Sequence, residues 1–219
     1  MKPSEDRDAA LGADPDVVAA WVAGWALSRG VPPPVAAYGG LRVDVGAPDQ
    51  KARYVFAAPS PSVERASREI LEPHVFIKVA APPEAVEPWL AEGWILQPLG
   101  FLMTTDGLEA GGVGLPDGYR FEVDVTPGGH TVSALAEDGE VGANGRVLLA
   151  GTTAVFDQII THPDHRRRGL GRAVMGRLGA VAAENGATKG SLVATPDGRA
   201  LYSTLGWRLH SLFTTFVRE

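Results

Sequence analysis

The stretch Asp157–Met175 has the residue types and the spacing needed to hold a negatively charged ligand. An apolar segment, Ala154–Ile160, predicts a strand, and glycines at Gly169 and Gly171 mark the turn into a helix. Glycine lets the backbone approach a ligand closely, and the free N–H groups of a first helical turn attract anions. Four cations surround this turn: Arg166, Arg167, Arg168 and Arg172. The sequence therefore predicts a phosphate or pyrophosphate site here.

Spacing restricts the kind of phosphate ligand. The P-loop string G-x-x-x-x-G-K-[ST] is absent, and Val174 stands where a dinucleotide fingerprint needs its third glycine. The remaining pattern, Arg166-x-x-Gly169-x-Gly171, resembles the acetyl-CoA motif R/Q-x-x-G-x-G/A of the GCN5-related N-acetyltransferase (GNAT) family. Further along, the segment 200–207 (ALYSTLGW) resembles the A-x-L-Y-x-x-L-G-F ending of that family. Two matches in the right order are more specific than either one alone.

The resemblance implies that acetyl-CoA binds as the acyl-donor cosubstrate. It assigns the pantetheine arm to the strand end and the pyrophosphate to the backbone of the glycine turn. Tyr202 is implied as the general acid that protonates the coenzyme thiolate, since a tyrosine pKa near 10 lies close to that of an alkyl thiol. Thr195 stands where the family often has Asn, and it offers a weaker polar contact. The expected cofactor-binding residues are Ile159, Ile160, Thr161, Arg166, Arg167, Arg168, Gly169, Leu170, Gly171, Arg172, Thr195 and Tyr202.

The general base is open at this stage. Asp157 alternates with Val155 and Ile159 on the predicted strand and could reach an incoming amine, so it is the expected catalytic partner of the tyrosine. An ordinary hydrogen-bonded strand residue is the alternative interpretation. Glu122 and Asp124 on an earlier strand are rivals, and water could relay the proton.

Other classes of function are disfavoured by composition. Cysteine is absent from the 219 residues, which excludes disulfides and thiol catalysis. His162 and His165 offer two metal ligands without an evident third, and the arginines would repel a cation, so no metal is predicted. A net charge of −6 argues against nucleic acid and membrane surfaces as partners. Without a membrane-spanning apolar run or a signal core, the expected location is cytoplasmic.

The predicted fold class is α/β, with a GNAT fold (a mixed central sheet flanked by helices) in the C-terminal half and an α/β N-terminal half. The expected organisation is a disordered tail over 1–14, an N-terminal domain over 15–105, a glycine-rich linker over 106–118 and a GNAT acetyl-CoA-binding domain over 119–219. The first helix is expected to be capped by Asp14 or Asp16 and to end at Gly30.

The two halves resemble each other. The segment 79–82 (VAAP) aligns with 193–196 (VATP), and 90–94 (LAEGW) aligns with 203–207 (STLGW). We therefore expect the first half to be a degenerate GNAT-like copy, with chance likeness of a common strand–helix–strand unit as the alternative. Residues 58–67, where the glycine turn belongs, contain neither Arg-x-x-Gly nor Gly-x-Gly, so this copy is expected to hold no cofactor.

The chain also departs from the family it resembles. That family places two helices between its first two strands, where they form much of the acceptor site, whereas only a turn fits at Thr126–His130. The N-terminal half is expected to supply the missing wall. The predicted function is direct transfer of an acetyl group to a primary amine of a small-molecule or peptide acceptor. Alternatives are a non-catalytic CoA-binding or partner-binding module and transfer of a longer acyl group; a homodimer is left open.

Overall fold

The apolar segments of the chain form a single mixed sheet with helices packed on it. This computed structural model describes residues 12–108 and 114–219, so most of the predicted tail and the centre of the predicted linker lie outside the described residues. The helices are α1 (Pro15–Arg29), α2 (Pro61–Glu69), α3 (Pro83–Val86), α4 (Leu170–Glu184) and α5 (Pro196–Ser203). The strands are β1 (Val35–Ala37), β2 (Gly40–Ala47), β3 (Gln50–Phe56), β4 (Val75–Val79), β5 (Trp94–Leu96), β6 (Gly100–Thr105), β7 (Tyr119–Thr126), β8 (Gly129–Ala136), β9 (Val141–Ala150), β10 (Thr153–Thr161), β11 (Lys189–Ala194) and β12 (Arg208–Arg218). Within the described ranges, no helix is both long enough and apolar enough to cross a membrane.

The first helix has the predicted ends. The Asp14 side chain accepts a hydrogen bond from the Asp16 backbone N–H at 2.8 Å, which satisfies one of the free donors of the first turn. Gly30 ends the helix in the left-handed conformation, with φ at 64°, a conformation that glycine adopts without a steric penalty. Val18, Trp21, Val22 and Trp25 are buried at helical spacing, so they form the face of the helix that packs on the sheet.

The strand order shows that the two halves share one sheet. The order is β1-β2-β3-β4-β12-β6-β11-β10-β9-β8-β7, with β5 also paired to β12. The last strand of the chain, β12, lies between β4 and β6. Strand β6, from the first half, lies between β12 and β11. Each half therefore receives a strand from the other half in the centre of the sheet.

The arrangement of strands repeats about the centre of the sheet. In the first half β2 and β3 are antiparallel, β3 and β4 are parallel, and α2 connects the parallel pair. In the second half β9 and β10 are antiparallel, β10 and β11 are parallel, and α4 connects them. The two halves therefore share the same strand arrangement, as expected for the duplication inferred from the sequence. Strands β5 and β6 are separate, because the chain leaves β12 after Leu96 and returns to it at Gly100.

Helix α1 occupies the face of the sheet that the short β7–β8 turn leaves uncovered. It contacts β9, β10 and β11 on one side and β2 and β3 on the other. Gly24 permits the close approach, since a Cβ atom there would lie 2.4 Å from the Val155 side chain. Trp21 meets the Phe213 ring edge-on, with centroids 5.0 Å apart. The wall expected from the N-terminal half is thus provided by one helix, and the core beneath it joins both halves.

Candidate active site

Strands β10 and β11 separate along their length. They pair only from Thr153 to Val155, opposite Lys189 to Ser191. Beyond that point β10 continues to Thr161 with β9 on its other side, and β11 continues to Ala194 beside β6. The facing edges of both strands are therefore without strand partners from Phe156 and Leu192 onward. Backbone N–H and C=O groups along such an edge are available to a ligand.

A cleft of about 1010 Å³ opens where the two strands separate. Its walls come from β10, the turn before α4, the end of β11, and α5. A bulge in β10 shapes one wall: the register shifts between Asp157 and Ile160, and Gln158 adopts a φ of 55°. A non-glycine residue with positive φ is uncommon, and such conformations concentrate at functional sites.

The turn before α4 is an anion-binding conformation of the backbone. Arg167 and Gly169 both have positive φ, at 64° and 84°, and they alternate with residues of ordinary φ. Such alternation directs successive N–H groups to one point. Gly169 also caps α4 without a side-chain hydrogen bond, so its first-turn N–H groups remain free. The glycine turn predicted from the sequence therefore has the backbone conformation that an anion needs, and the anion itself stays a prediction.

Three of the four predicted arginines line the cleft. Arg166, Arg167 and Arg172 are among its lining residues, and Arg172 also donates to the Thr204 hydroxyl at 2.9 Å. Arg168 is turned away: it donates to the Tyr119 hydroxyl at 2.9 Å and to the Asp164 carbonyl at 3.1 Å. The positive charge at the mouth of the cleft comes from the side chains of the other three, with the positive end of the α4 dipole behind them.

Tyr202 lies on α5, inside the cleft wall, and is 8% exposed. Its ring packs 6.2 Å from that of Trp207. Burial, and secondarily the charge of Asp157, raises the pKa of Tyr202 to about 12. A phenol in this environment is protonated at neutral pH, so it can act as a hydrogen-bond donor there.

Asp157 also lines the cleft, but it is already engaged with α1. It accepts a hydrogen bond from the Ser28 hydroxyl at 2.7 Å and an ion pair from Arg29 Nε at 3.1 Å. The carboxylate is therefore fixed in position by the C-terminal end of α1. A carboxylate has about four acceptor directions, so a further donor is still accommodated.

All the predicted site residues except Arg168 line the cleft. Thr195 caps α5 by accepting from the Gly198 N–H at 3.2 Å while it lines the cleft. The rivals Glu122 and Asp124 lie on β7, at the far edge of the sheet and three strands from β10. Sequence reasoning missed Ser28 and Arg29, since nothing in their local pattern marks a contact with a residue about 130 positions away.

The two histidines near the glycine turn have a neighbour that sequence reasoning did not find. Ligand atoms of Glu140, His162 and His165 all lie within 4.8 Å of one another. His165 is also held by the Tyr119 hydroxyl, at 2.6 Å from Nδ1. Glu140 is thus a third potential ligand, which the sequence analysis did not identify. That no metal binds here stays a prediction.

A second group of charges lies on the α1 face of the sheet. The Arg53 guanidinium stacks 3.8 Å above the ring of Trp25, and Arg29 lies 5.7 Å from the same ring. Lys78, beside β3 on β4, donates to the Thr215 hydroxyl at 2.7 Å. Burial lowers the pKa of Arg53 to about 10, with a further lowering from Arg29. Burial also lowers the pKa of Lys78 to about 7, helped by the charge of Arg53.

Lys78 should make stability depend on pH. Between the folded pKa of about 7 and the ordinary lysine value near 10.4, the unfolded chain binds a proton that the folded chain has released. The free energy of unfolding should therefore rise with pH across this window because of Lys78. Thermal unfolding of Lys78→Met should lack this rise, whereas Lys51→Met, an exposed lysine on the neighbouring strand, should retain it. Equal pH slopes in wild type and Lys78→Met would contradict the assignment.

Part of the chain matches a known protein family. Residues 127–209 match the family model described as the acetyltransferase (GNAT) domain, the family that the two sequence motifs resemble. No curated protein sequence matches the chain.

Solved structures with this fold cover up to 95% of the chain. A GCN5-related N-acetyltransferase from Kribbella flavida is 18% identical, with a TM-score of 0.70, over 95% of this chain and 96% of that one. Another from Sphaerobacter thermophilus is 12% identical, with a TM-score of 0.56, over 94% and 93%. A tandem GNAT protein from the clavulanic acid biosynthesis pathway is 16% identical, with a TM-score of 0.52, over 65% and 62%. At these identities the likeness establishes the fold.

Proposed function

We propose that this protein transfers the acetyl group of acetyl-CoA directly to a primary amine. The observation that carries the proposal is the separation of β10 from β11 immediately before an uncapped helix with a left-handed glycine turn. The separated strand edge suits an extended arm with amide groups, and the turn suits a pyrophosphate. A ligand with both features, joined in that order, fits the cleft from Ile159 to Arg172.

Each predicted residue then has a role consistent with its position. The free backbone groups of Ile159, Ile160 and Thr161 bind the pantetheine amides. The N–H groups from Arg167 to Arg172 bind the pyrophosphate, and the side chains of Arg166, Arg167 and Arg172 add positive charge around it. Arg168 instead holds the turn in shape through Tyr119.

The transfer step needs one proton donated and one removed. The neutral amine attacks the thioester carbonyl carbon, a C–N bond forms, and the C–S bond breaks. Tyr202 donates its phenolic proton to the departing thiolate and is reprotonated from solvent. The raised pKa keeps Tyr202 protonated before the reaction, but it also makes the phenol a weaker acid than an ordinary tyrosine, so the proton moves only as negative charge develops on the sulfur.

Asp157 is the proposed acceptor of the amine proton. It lines the cleft at the end where β10 meets α1, and the contacts from Ser28 and Arg29 fix its carboxylate there. Asp157 and Tyr202 both line this cleft, which supports their assignment as proton acceptor and proton donor. An amine bound at this point loses its proton to Asp157 as the C–N bond forms.

The first half is proposed to bind no cofactor. Its parallel pair, β3 and β4, stays in register from Ala52↔Val75 to Phe56↔Val79, and the Ala80 N–H continues the pairing to the Phe56 carbonyl at 3.0 Å. The strands therefore do not separate, and no free edge is available. Helix α2 begins at Pro61 without a glycine turn, so both features of the second-half cleft are missing.

Calorimetric titration with acetyl-CoA tests this function directly, with CoA and ATP as comparison ligands. We expect saturable binding of acetyl-CoA with one molecule per chain, followed by release of free thiol when an accepted amine is added. Two molecules per chain would refute the vacant first half. Absence of acetyl-CoA binding would refute the donor and favour a partner-binding module.

A further inference from the structure

We propose that Arg53 and Lys78 form a binding site for the carboxylate of the acceptor, so that the acceptor is an amine that also carries a carboxylate. This inference rests on the proposed acetyl transfer, and it adds a substrate class to it. The site lies on the face of the sheet covered by α1, next to the end of the cleft where Asp157 lies.

Within the described residues, the guanidinium of Arg53 is held in position but forms no ion pair with a carboxylate. Its guanidinium is held by the Trp25 ring at 3.8 Å and by one bond, from Nη2 to the Gln50 side-chain oxygen at 2.8 Å. Its Nε is buried and has no hydrogen-bond partner. A buried donor without a partner is costly, and a planar guanidinium fixed in this way matches a carboxylate.

Lys78 adds a second cation on the same face. Lys78 pairs with Val55 across β3 and β4, and Val55 lies two residues from Arg53, so both cations project from one side of the sheet. The ammonium donates to Thr215 and lies 5.5 Å from the Phe213 ring, and in the described part of the chain it makes no ion pair. Burial lowers the pKa of Lys78, and the charge of Arg53 on the neighbouring strand lowers it further. An anion bound between the two side chains would stabilise the charged form of both.

The local charge is opposite to that of the whole protein. Besides Arg53 and Lys78, the region beneath α1 contains Arg29 and Arg146, and Arg146 donates to the Ser28 carbonyl. In the described ranges, Asp157 is the only carboxylate that pairs with any of these four cations. A positive site in a chain of net charge −6 attracts an anion, and a purely cationic amine such as a polyamine would be repelled from it.

The position of the site explains why the anion belongs to the acceptor. Arg29 pairs with Asp157 at 3.1 Å and lies 5.7 Å from the Trp25 ring, on which Arg53 stacks at 3.8 Å. The site therefore adjoins the proposed reacting centre. An acceptor whose amine lies at Asp157 extends its other end toward Arg53. Its carboxylate replaces the missing partner of Nε.

The test compares amines that differ only in the carboxylate. We would measure thiol release with β-alanine, γ-aminobutyrate and ε-aminocaproate, each against its own carboxamide, with kcat/KM expressed per neutral amine. For wild type we expect roughly ten- to hundredfold higher kcat/KM for at least one carboxylate, as a charge-assisted hydrogen bond contributes. Arg53→Gln and Lys78→Met should each reduce that ratio toward one, with acetyl-CoA binding retained as evidence of an intact fold.

Two controls separate this inference from other effects. Arg42→Gln removes a cation from β2 on the opposite face of the same sheet, since Arg42 pairs with Tyr54 and not with Arg53; it should keep the full preference. Aminoalkyl phosphonates of matched length test the source of the anion, because a preference for phosphonate over carboxylate would overturn the carboxylate assignment.

A binding measurement covers the case of slow turnover. The N-acetyl derivative of γ-aminobutyrate and its carboxamide would be titrated while tryptophan fluorescence is followed, because Trp25 lies against Arg53. We expect a saturable change with the carboxylate in wild type and in Arg42→Gln, and none in Arg53→Gln. Equal responses to carboxylate and carboxamide would overturn the site even if acetyl transfer is confirmed, whereas failed acetyl-CoA binding would count against the proposed function alone.

Discussion

Gly171→Asp is expected to weaken acetyl-CoA binding by roughly a thousandfold. A new carboxylate in the first turn of α4 would stand beside the pyrophosphate that this turn is proposed to bind. Two like charges about 4 Å apart near a protein surface repel by about 4 kcal/mol, which corresponds to that factor. Calorimetric titration measures the change directly.

Matched variants at the same position isolate the charge from the added volume. A Cβ atom at Gly171 would lie 3.4 Å from the Leu201 and Thr161 side chains, which is ordinary van der Waals contact. Gly171→Ala should therefore bind acetyl-CoA nearly as wild type does, and Gly171→Asn should lose much less affinity than the isosteric Asp. If Gly171→Asp still bound acetyl-CoA with micromolar or tighter affinity, the assignment of the pyrophosphate to this turn would be wrong.

Tyr202→Phe is expected to lower kcat by roughly a hundredfold or more, which is the contribution of a positioned general acid. The ring is retained, so its packing against Trp207 and the affinity for acetyl-CoA should hardly change. Single-turnover acetylation, in which chemistry is observed directly, is the measurement of choice.

The pH profile of the same reaction gives an independent check on Tyr202. Since the pKa of Tyr202 is raised to about 12, the acid stays protonated and kcat should show no alkaline decline from this group between pH 7 and 10. Asp157→Asn in the same assay tests the proton acceptor. Unchanged single-turnover rates in Tyr202→Phe or in Asp157→Asn would exclude that residue from proton transfer.

Features that depend on short stretches of sequence could be predicted. The capped first helix, the glycine turn and the position of Tyr202 each follow from a few adjacent residues, because capping, left-handed backbone and helix ends are local properties. The duplication was also accessible, since two similar segments recur in the same order in both halves.

Features that depend on distant contacts could not be predicted. Nothing in the sequence of β6 indicates that it pairs with β11 and β12. The alternation of apolar and polar residues shows which face of a strand is buried, but it does not identify the neighbouring strands. The ion pair between Arg29 and Asp157 joins residues 128 positions apart. The contact of Glu140 with His165 could not be predicted for the same reason, because the two residues lie 25 positions apart.

The exchange of central strands has a consequence for how the protein is made. During synthesis the edge of β4 has no partner until β12 emerges, since β12 is the strand that covers it. One edge of β6 likewise has no partner until β11 has been synthesised. An exposed strand edge invites pairing with other chains, so the nascent first half needs protection throughout translation of the second. The same interlock makes the finished molecule one cooperative unit, in which neither half completes its sheet alone.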